Sequence, residues 1–530
     1  MTIRLVVAAA AITILALGSC SLAGLDDYAS GTGGSNPGGS NPGGSNPGGS
    51  NTGGQVTGSG GEGTGGSSCA GLVCAGSCVD PLADAAHCGA CGRACAVGYT
   101  CMSGVCGNAV IDFSTMLVSC AALRSGELWC WGRNVWGELG IPPATSDHVC
   151  PFYSDRCQIA PVRIPGLAGV VEVSAGAEAT CARTSAGDVY CWGGNGRALL
   201  GHNPATDPIC TKAGGPNSGI TGPCSPTPQK VALPAGVKAA QLVMGTAVVC
   251  ARTTTKDVYC WGNNSHGEVR APVGGEIWQP VKNANVSGDA EEIAVSLDMM
   301  GDYSTVCFRQ TGTSIVRCWG GSSEGALFPA SGNCADGCDP VAHVVPQIWS
   351  SQSGALTAGQ IQIGWITGAA SSQGVVTAWG DDNHGQSGKG GLSAAHFDPT
   401  VIVGLSGITS VSMRFLTTLM IDANRSVWAL GWGDEGQLGL GAYPQSNCPI
   451  GNGQRCANTV TSVPGLSGIV KVHAAANNAA AIDEEGKLWI WGANYTATLG
   501  HQPGTSGDVP CLGDASLFCN PTPQIVTGLP

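Results

Sequence analysis

The chemistry of this chain is concentrated in its cysteines, and their spacing says which chemistry that is. There are 27, and setting Cys20 aside leaves an even 26. Eight fall between Cys69 and Cys106, spaced C-x4-C-x3-C-x9-C-x2-C-x3-C-x5-C-x4-C. Eight more form Cys120/Cys130, Cys181/Cys191, Cys250/Cys260 and Cys307/Cys318, each pair flanking a short polar turn. Three further copies of that segment have cysteine at neither place: Leu419/Ala429, Ala480/Ile490, and a copy ending in Ala378 with no cysteine upstream. Positions that gain and lose cysteine together are partners, and directly opposite residues on antiparallel strands lie within disulfide reach. The last ten pair within loops as Cys150/Cys157, Cys210/Cys224, Cys334/Cys338, Cys448/Cys456 and Cys511/Cys519. Nothing is left over, so the expected chemistry is oxidation to disulfides. Cys88-Gly-Ala-Cys91 also has zinc-ligand spacing. In an exported chain disulfides are the better reading, because a module this small and poor in apolar residues must be held by cross-links.

Other chemistry is sparse. Asp26-Asp27, Glu291-Glu292, Asp381-Asp382 and Glu484-Glu485 are adjacent carboxylates, which on strands point to opposite faces. The nine histidines are scattered without a His-Glu-x-x-His arrangement, and no Gly-Lys-Ser/Thr phosphate cradle occurs. No catalytic residue, metal or cofactor is expected. Only 11% of residues are charged, and 23 basic against 36 acidic side chains give a net charge of −13. That sign repels phosphate backbones, and no basic stripe offsets it, so nucleic acid is excluded as a partner.

The cysteine pairs sit in a repeat. A segment such as Cys181-Ala-Arg-Thr-Ser-Ala-Gly-Asp-Val-Tyr-Cys-Trp-Gly193 is written seven times, ending in Trp131, Trp192, Trp261, Trp319, Trp379, Leu430 and Trp491, each followed by glycine. The sixth copy aligns on Gly436-Gln-Leu-Gly439, which puts Leu430 rather than Trp432 in the tryptophan slot. The intervals are 61, 69, 58, 60, 51 and 61 residues. A period of this size means one supersecondary unit per copy. Leu128-Trp-Cys-Trp131 and its equivalents follow an apolar run across a glycine-bearing turn, which predicts a β-hairpin. With Val170-Val-Glu-Val173 and Pro161-Val-Arg-Ile164 upstream, each unit has about four short strands, as in a propeller blade. The chain ends in Pro521-Thr-Pro-Gln-Ile-Val-Thr-Gly-Leu-Pro530, read as a first strand, and the repeats open at Asn108 with the later strands. The two ends are therefore expected to complete one blade between them, with residues 523–528 beside residues 108–130.

The motif Trp131-Gly-Arg-Asn-Val-Trp-Gly-Glu-Leu-Gly140 resembles the repeat of the regulator of chromosome condensation family. The resemblance spans about residues 108–530 and implies an all-β, seven-bladed propeller, here closed by the N- and C-terminal strands. Ala198 and Ala497 depart from it at the first loop glycine, Arg270 and Phe328 at the last. Chromatin binding does not carry over onto so acidic a chain. Residues 1–19 read as a signal peptide with Arg4 before an apolar run. Leu17-Gly-Ser-Cys20 resembles the lipobox of bacterial lipoproteins, which implies lipidation of Cys20 and an outer-membrane anchor. Residues 20–68 carry the Gly/Ser/Asn/Pro linker. About 36 residues of it reach roughly 30–35 Å as a flexible coil. Residues 69–107 form the cysteine-rich module, and His87-Cys-Gly-Ala-Cys-Gly-Arg-Ala-Cys95 is similar to stigma-specific plant proteins.

In a propeller the five cross-linked loops should gather on one face. Their aromatic residues, Phe152, Tyr153, Tyr443 and Phe518, with Trp136 and Trp278 in comparable loops, are the candidate binding residues. Pre-ordered loops with aromatic tips lose little entropy on association. The function expected is a non-catalytic, surface-displayed monomeric scaffold that binds an extracellular protein or glycan. The alternative is a hydrolase or lyase acting on a polysaccharide at the propeller centre.

Overall fold

A computed structural model describes residues 71–530 except 96–99, 103–104, 147, 152–153, 213–218, 298–303, 322–337, 346–354, 389–398 and 452. The signal segment, Cys20 and the linker lie outside the described residues. The cysteine-rich module pairs Leu72–Cys74 with Ser77–Val79 and Thr100–Met102 with Val105–Gly107. Cys74 bonds Cys91 and Cys88 bonds Cys101, so the two cysteines of the Cys-x-x-Cys run take different partners.

Seven antiparallel sheets follow, and the propeller is all-β. The first blade runs Val110–Thr115, Val118–Leu123, Leu128–Arg133 and Arg156–Arg163, in that spatial order from the innermost strand outward. The innermost strands of the others are Val170–Ala175, Ala239–Met244, Ala290–Val295, Gln360–Ile363, Ile408–Arg414 and Ile469–Ala474. Apolar side chains are buried between blades, so the core is a set of wedge-shaped layers. One such layer joins the two chain ends, with Val110, Phe113, Leu123 and Trp131 against Ala480, Ile482 and Ile490.

The tryptophan slot is the joint of this ring. Among the described bonds, the indole nitrogen donates to a carbonyl in the preceding blade's loop: Trp192 to Glu138 at 3.0 Å, and Trp261 to Leu199, Trp319 to Glu268 and Trp491 to Gln437 at 2.8 Å. Across the chain ends Trp131 donates to Thr498, again at 2.8 Å. Leu430 holds the same register, opposite Thr418 as Trp192 is opposite Thr180, and is fully buried. It cannot donate, and in that blade the Thr418 hydroxyl alone reaches the loop carbonyl, that of Gln386, at 2.8 Å. The glycine after the slot is required by geometry. Gly193 and Gly431 have φ of +102° and +108°. A Cβ there would lie 2.5 Å from the Glu178 carbonyl oxygen or 2.3 Å from that of Leu416, in the turn of the same blade.

The expected sharing of one blade by the two chain ends is not found. Phe518–Ile525 is the outermost long strand of the seventh blade, with Trp489 opposite Ile525 and Ile490 opposite Gln524. Arg156–Arg163 completes the first blade in the same way. Every blade is one continuous stretch of chain. The ends do meet, through the Trp131 joint and a bond from the Asn108 amide to the Pro530 carbonyl at 3.2 Å. The long loop after each third strand folds back to pair with the strand it has just left. The strand read as opening each unit therefore closes the one before.

Candidate functional site

Antiparallel order puts the turn after each innermost strand and the loop after each third strand at the same end of the blade. The cross-linked loops therefore share one face. Cys150–Cys157, Cys210–Cys224, Cys448–Cys456 and Cys511–Cys519 pin them, with Cα separations of 5.9, 5.8, 4.8 and 5.1 Å. The fifth expected pair, Cys334/Cys338, is not among these bonds, because Cys334 and the side chain of Cys338 lie outside the described residues. The backbone of Cys338 opens the outermost strand of the fourth blade, Cys338–Val344, opposite Gly321. Cys157, Cys224, Cys456 and Cys519 hold that same register place in their own blades, opposite Arg133, Gly194, Trp432 and Ala493. Within the sheets, Cys120–Cys130, Cys181–Cys191, Cys250–Cys260 and Cys307–Cys318 link directly opposite residues at Cα separations of 4.0–4.2 Å.

The loops are also tied to one another. Asp155, beside the first loop pair, takes Arg133 Nε at 2.9 Å and Lys212 Nζ of the next blade at 3.0 Å. His384 bonds Gln454 of the following blade at 3.0 Å, and burial drives its imidazole down to about 4, which keeps it neutral. Tyr443 donates its hydroxyl to the Pro510 carbonyl at 2.9 Å, which joins the sixth and seventh loops. Glu435 sits under that contact. Burial, then Asp434 and Asp514, push its carboxyl up to about 8, so it is largely a neutral acid at pH 7. Its Oε2 lies 3.2 Å from Cys519 Sγ, and the grouping with Cys511 resembles a ligand set. Both sulfurs are spent in a disulfide, so the acid meets a weak acceptor rather than a metal-binding thiolate.

Of the six candidate aromatics, Phe152 and Tyr153 lie outside the described residues. Trp136 is half-buried over Gly194 and Gly222 of the next blade, and Phe518 is half-buried over Gly504. Tyr443 packs beside Ala493, Tyr495 and the Cys511–Cys519 bridge. Trp278, on the outermost strand of the third blade, is 36% exposed. Among the described residues the loops also expose aliphatic side chains. Short added strands His148–Val149, Ile209–Thr211 and Val509–Pro510 form the rims of blades one, two and seven, which are consecutive around the ring. They carry Val149, Ile209 and Val509 at 57%, 66% and 37% exposure, with Leu512 alongside at 50%. The sequence held a signal for them: an aliphatic residue stands one or two places before the first cysteine of each of these loops.

At the middle of the same face the turns after the innermost strands converge. Met116, Leu297, Phe415, Leu416, Trp432 and Ala476 are buried together, with Trp365 half-buried against them. Trp365 stacks on Phe415 at 5.4 Å and 11° between planes, and Trp432 meets Phe415 edge-on. This apolar cluster covers the loop-side end of the central channel among the described residues.

Deeper in the channel the innermost strands place polar side chains at one level. Asp112 accepts the Val173 amide at 2.7 Å, Glu172 that of Leu242 at 3.1 Å, and Gln241 that of Ile293 at 3.0 Å. Glu292 accepts that of Ile361 at 3.0 Å, and Gln360 that of Val411 at 3.2 Å. In blades one to five the side chain thus satisfies the free strand edge of the next blade. Each carboxylate also holds a cation: Lys471 on Asp112, Arg183 on Glu172 at 2.6 Å, and Arg309 on Glu292 at 3.5 Å. Burial raises the Glu292 carboxyl to about 7, and burial followed by the Asp112 charge raises that of Glu172. One Gly-x-Ser-x-Gly spacing, Gly321 to Gly325, follows the fourth tryptophan in the ordinary loop slot, and residues 322–325 lie outside the described residues.

Residues 125–183, and separately 170–197 and 240–268, match the regulator of chromosome condensation (RCC1) repeat, and residues 62–109 match the stigma-specific STIG1-like protein family. The chain is 25% identical over 386 residues to the ultraviolet-B receptor UVR8 of Arabidopsis thaliana, covering 72% of this chain and 76% of that protein. Its fold is similar to that of human WBSCR16, with a TM-score of 0.55 and 19% identity over 76% of this chain and 94% of the other. Prp20p of Saccharomyces cerevisiae also has a TM-score of 0.55, at 17% identity over 75% and 85% of the two chains. The chain folds as a seven-bladed β-propeller, and within it residues 125–197 and 240–268 match the regulator of chromosome condensation repeat.

Proposed function

We propose that the protein is a non-catalytic binding scaffold that engages a protein partner through the loop face, along the rim of blades seven, one and two. The observation that carries this reading is the row Val149, Ile209 and Val509. Three consecutive blades hold an exposed aliphatic residue on short strands pinned by disulfides: Val149 and Ile209 at equivalent places, opposite Arg156 and Pro223, and Val509 one place earlier, opposite Cys519. Exposed apolar side chains on rigid supports lower the cost of association and suit an apolar protein surface better than a glycan. A protein of similar fold, yeast RCC1 (Prp20), has been solved bound to Kap60, so a propeller of this kind can hold a partner. A hydrolase or lyase at the centre would need a carboxylate free to reach substrate. Asp112, Glu172 and Glu292 are each engaged by a cation and a neighbouring amide.

Changing Val149, Ile209 and Val509 together to lysine should leave stability within about 0.5 kcal/mol per site, as for other exposed positions. Recovery of the partner by affinity capture should fall by roughly tenfold or more. Capture of the same partner at unchanged affinity would remove this face from consideration, and a glycan retained by both proteins would favour the saccharide reading. The scaffold is further proposed to be exported and lipid-anchored at Cys20. Mass spectrometry should find acyl chains on that residue in the membrane fraction, and an unmodified N-terminus beyond residue 20 would overturn it.

A further inference from the structure

Lys212 is the one buried lysine among the described residues, at 7% exposure. It follows the rim strand Ile209–Thr211 of blade two and reaches back to Asp155 in the loop of blade one, which is 1% exposed. Nζ lies 3.0 Å from Oδ1 without the alignment of a hydrogen bond. The backbone holds both residues in place. The Asp155 carbonyl accepts the Cys150 amide at 2.9 Å, and the Lys212 amide donates to the Ile220 carbonyl at 2.8 Å. The Cys150–Cys157 and Cys210–Cys224 bridges flank them. The other carboxyl oxygen, Oδ2, accepts Arg133 Nε at 2.9 Å. Glu138 lies 3.7 Å from a second nitrogen of that guanidinium, and burial raises its carboxyl above the usual range.

A buried ion pair carries a heavy desolvation penalty. A lysine has an exit from it that an arginine lacks, since an amine can give up a proton and act as a nucleophile. We infer that Lys212 and Asp155 condense into an intramolecular amide, a covalent tie between blades one and two. A proton first passes from Nζ to Oδ1, which leaves a neutral amine and a neutral acid. The Nζ lone pair then attacks Cγ and forms the C–N bond, and the charge that develops on Oδ2 rests against Arg133. The Cγ–Oδ1 bond breaks as Oδ1 takes a second proton from the nitrogen and departs as water. Ammonium and carboxylate thus become one amide and one water, with no oxidant, cofactor or second protein. Holding the groups in contact raises their effective concentration far above that of a bimolecular reaction. Lys230, Lys282 and Lys471 also contact carboxylates, but they are half-exposed, and water keeps those pairs ionic. The amide fixes the loop bearing Ile209 to the loop bearing Val149, and it stands or falls independently of what meets that rim.

Mass spectrometry of the full chain, purified folded and then denatured, reduced and digested, tests this. The expected result is a branched peptide that joins the segments of Asp155 and Lys212 and is one water lighter than the two together. Trypsin should fail to cut after Lys212. Lys212→Arg keeps the positive charge but cannot condense, so it should return the two peptides separately and at full mass. Recovery of unlinked peptides from the native chain would overturn the proposal. So would a water loss that persists in Lys212→Arg, since the condensation would then lie elsewhere. If that variant does not fold, the peptide map of the native chain decides the question alone.

Discussion

Replacing Trp131 with alanine should destabilise the protein by about 3–5 kcal/mol, the usual loss for a fully buried tryptophan. The indole is completely buried, donates to the Thr498 carbonyl and lies in the layer between the last blade and the first. This is the one joint of the ring that no peptide link spans. Trp261 occupies the same slot at an internal joint and makes the same bond, to Leu199. Trp261→Ala should therefore cost a similar amount, measured by denaturant midpoints on both variants. A Trp131→Ala loss under about 1 kcal/mol beside a Trp261→Ala loss in the expected range would show that the ring is open in solution.

Reduction of the disulfides should unfold the propeller unevenly. The four in-sheet cross-links all lie in blades one to four. Each closes a short loop and contributes roughly 2–3 kcal/mol on the chain-entropy estimate, so together they are of order 10 kcal/mol. That rivals the whole stability of a typical domain, about 5–15 kcal/mol. Blades five to seven fill the same opposed positions with Ala369 and Ala378, Leu419 and Ala429, and Ala480 and Ile490. Hydrogen exchange in reductant should show blades one to four losing protection first, while blades five to seven hold longer. Simultaneous loss, or earlier loss in the last three blades, would mean the cross-links add little to blades that are already well packed.

Much of this architecture was legible because the repeat combines a bulky slot with a steric requirement. The Gly-Gln-Leu-Gly spacing placed Leu430 correctly even though Trp432-Gly433 is the more obvious match, and Gly431 with its positive φ explains why. The phase of the repeat was not legible. A periodic sequence shows how long a unit is, but hydrogen bonding decides which four strands make one sheet, and Arg156–Arg163 turns back to the strand behind it. The direction of the loop aromatics was not legible for a related reason. Whether Tyr443 or Trp136 points to solvent is decided by the neighbouring blade, which lies far away in sequence. The channel was hidden altogether, since Asp112, Glu172, Glu292 and Lys471 come from four different blades.

Asn108 and Pro530 leave the propeller side by side, next to the turn of Gly486, on the side away from the disulfide loops. Whatever precedes residue 108 is therefore fastened to the back of the disc. A tether attached there acts as a handle. It enters the propeller at the innermost strand, Val110–Thr115, on the side opposite the cross-linked loops. The disc is thus two-sided: the cross-linked loops lie on one side and the chain enters on the other.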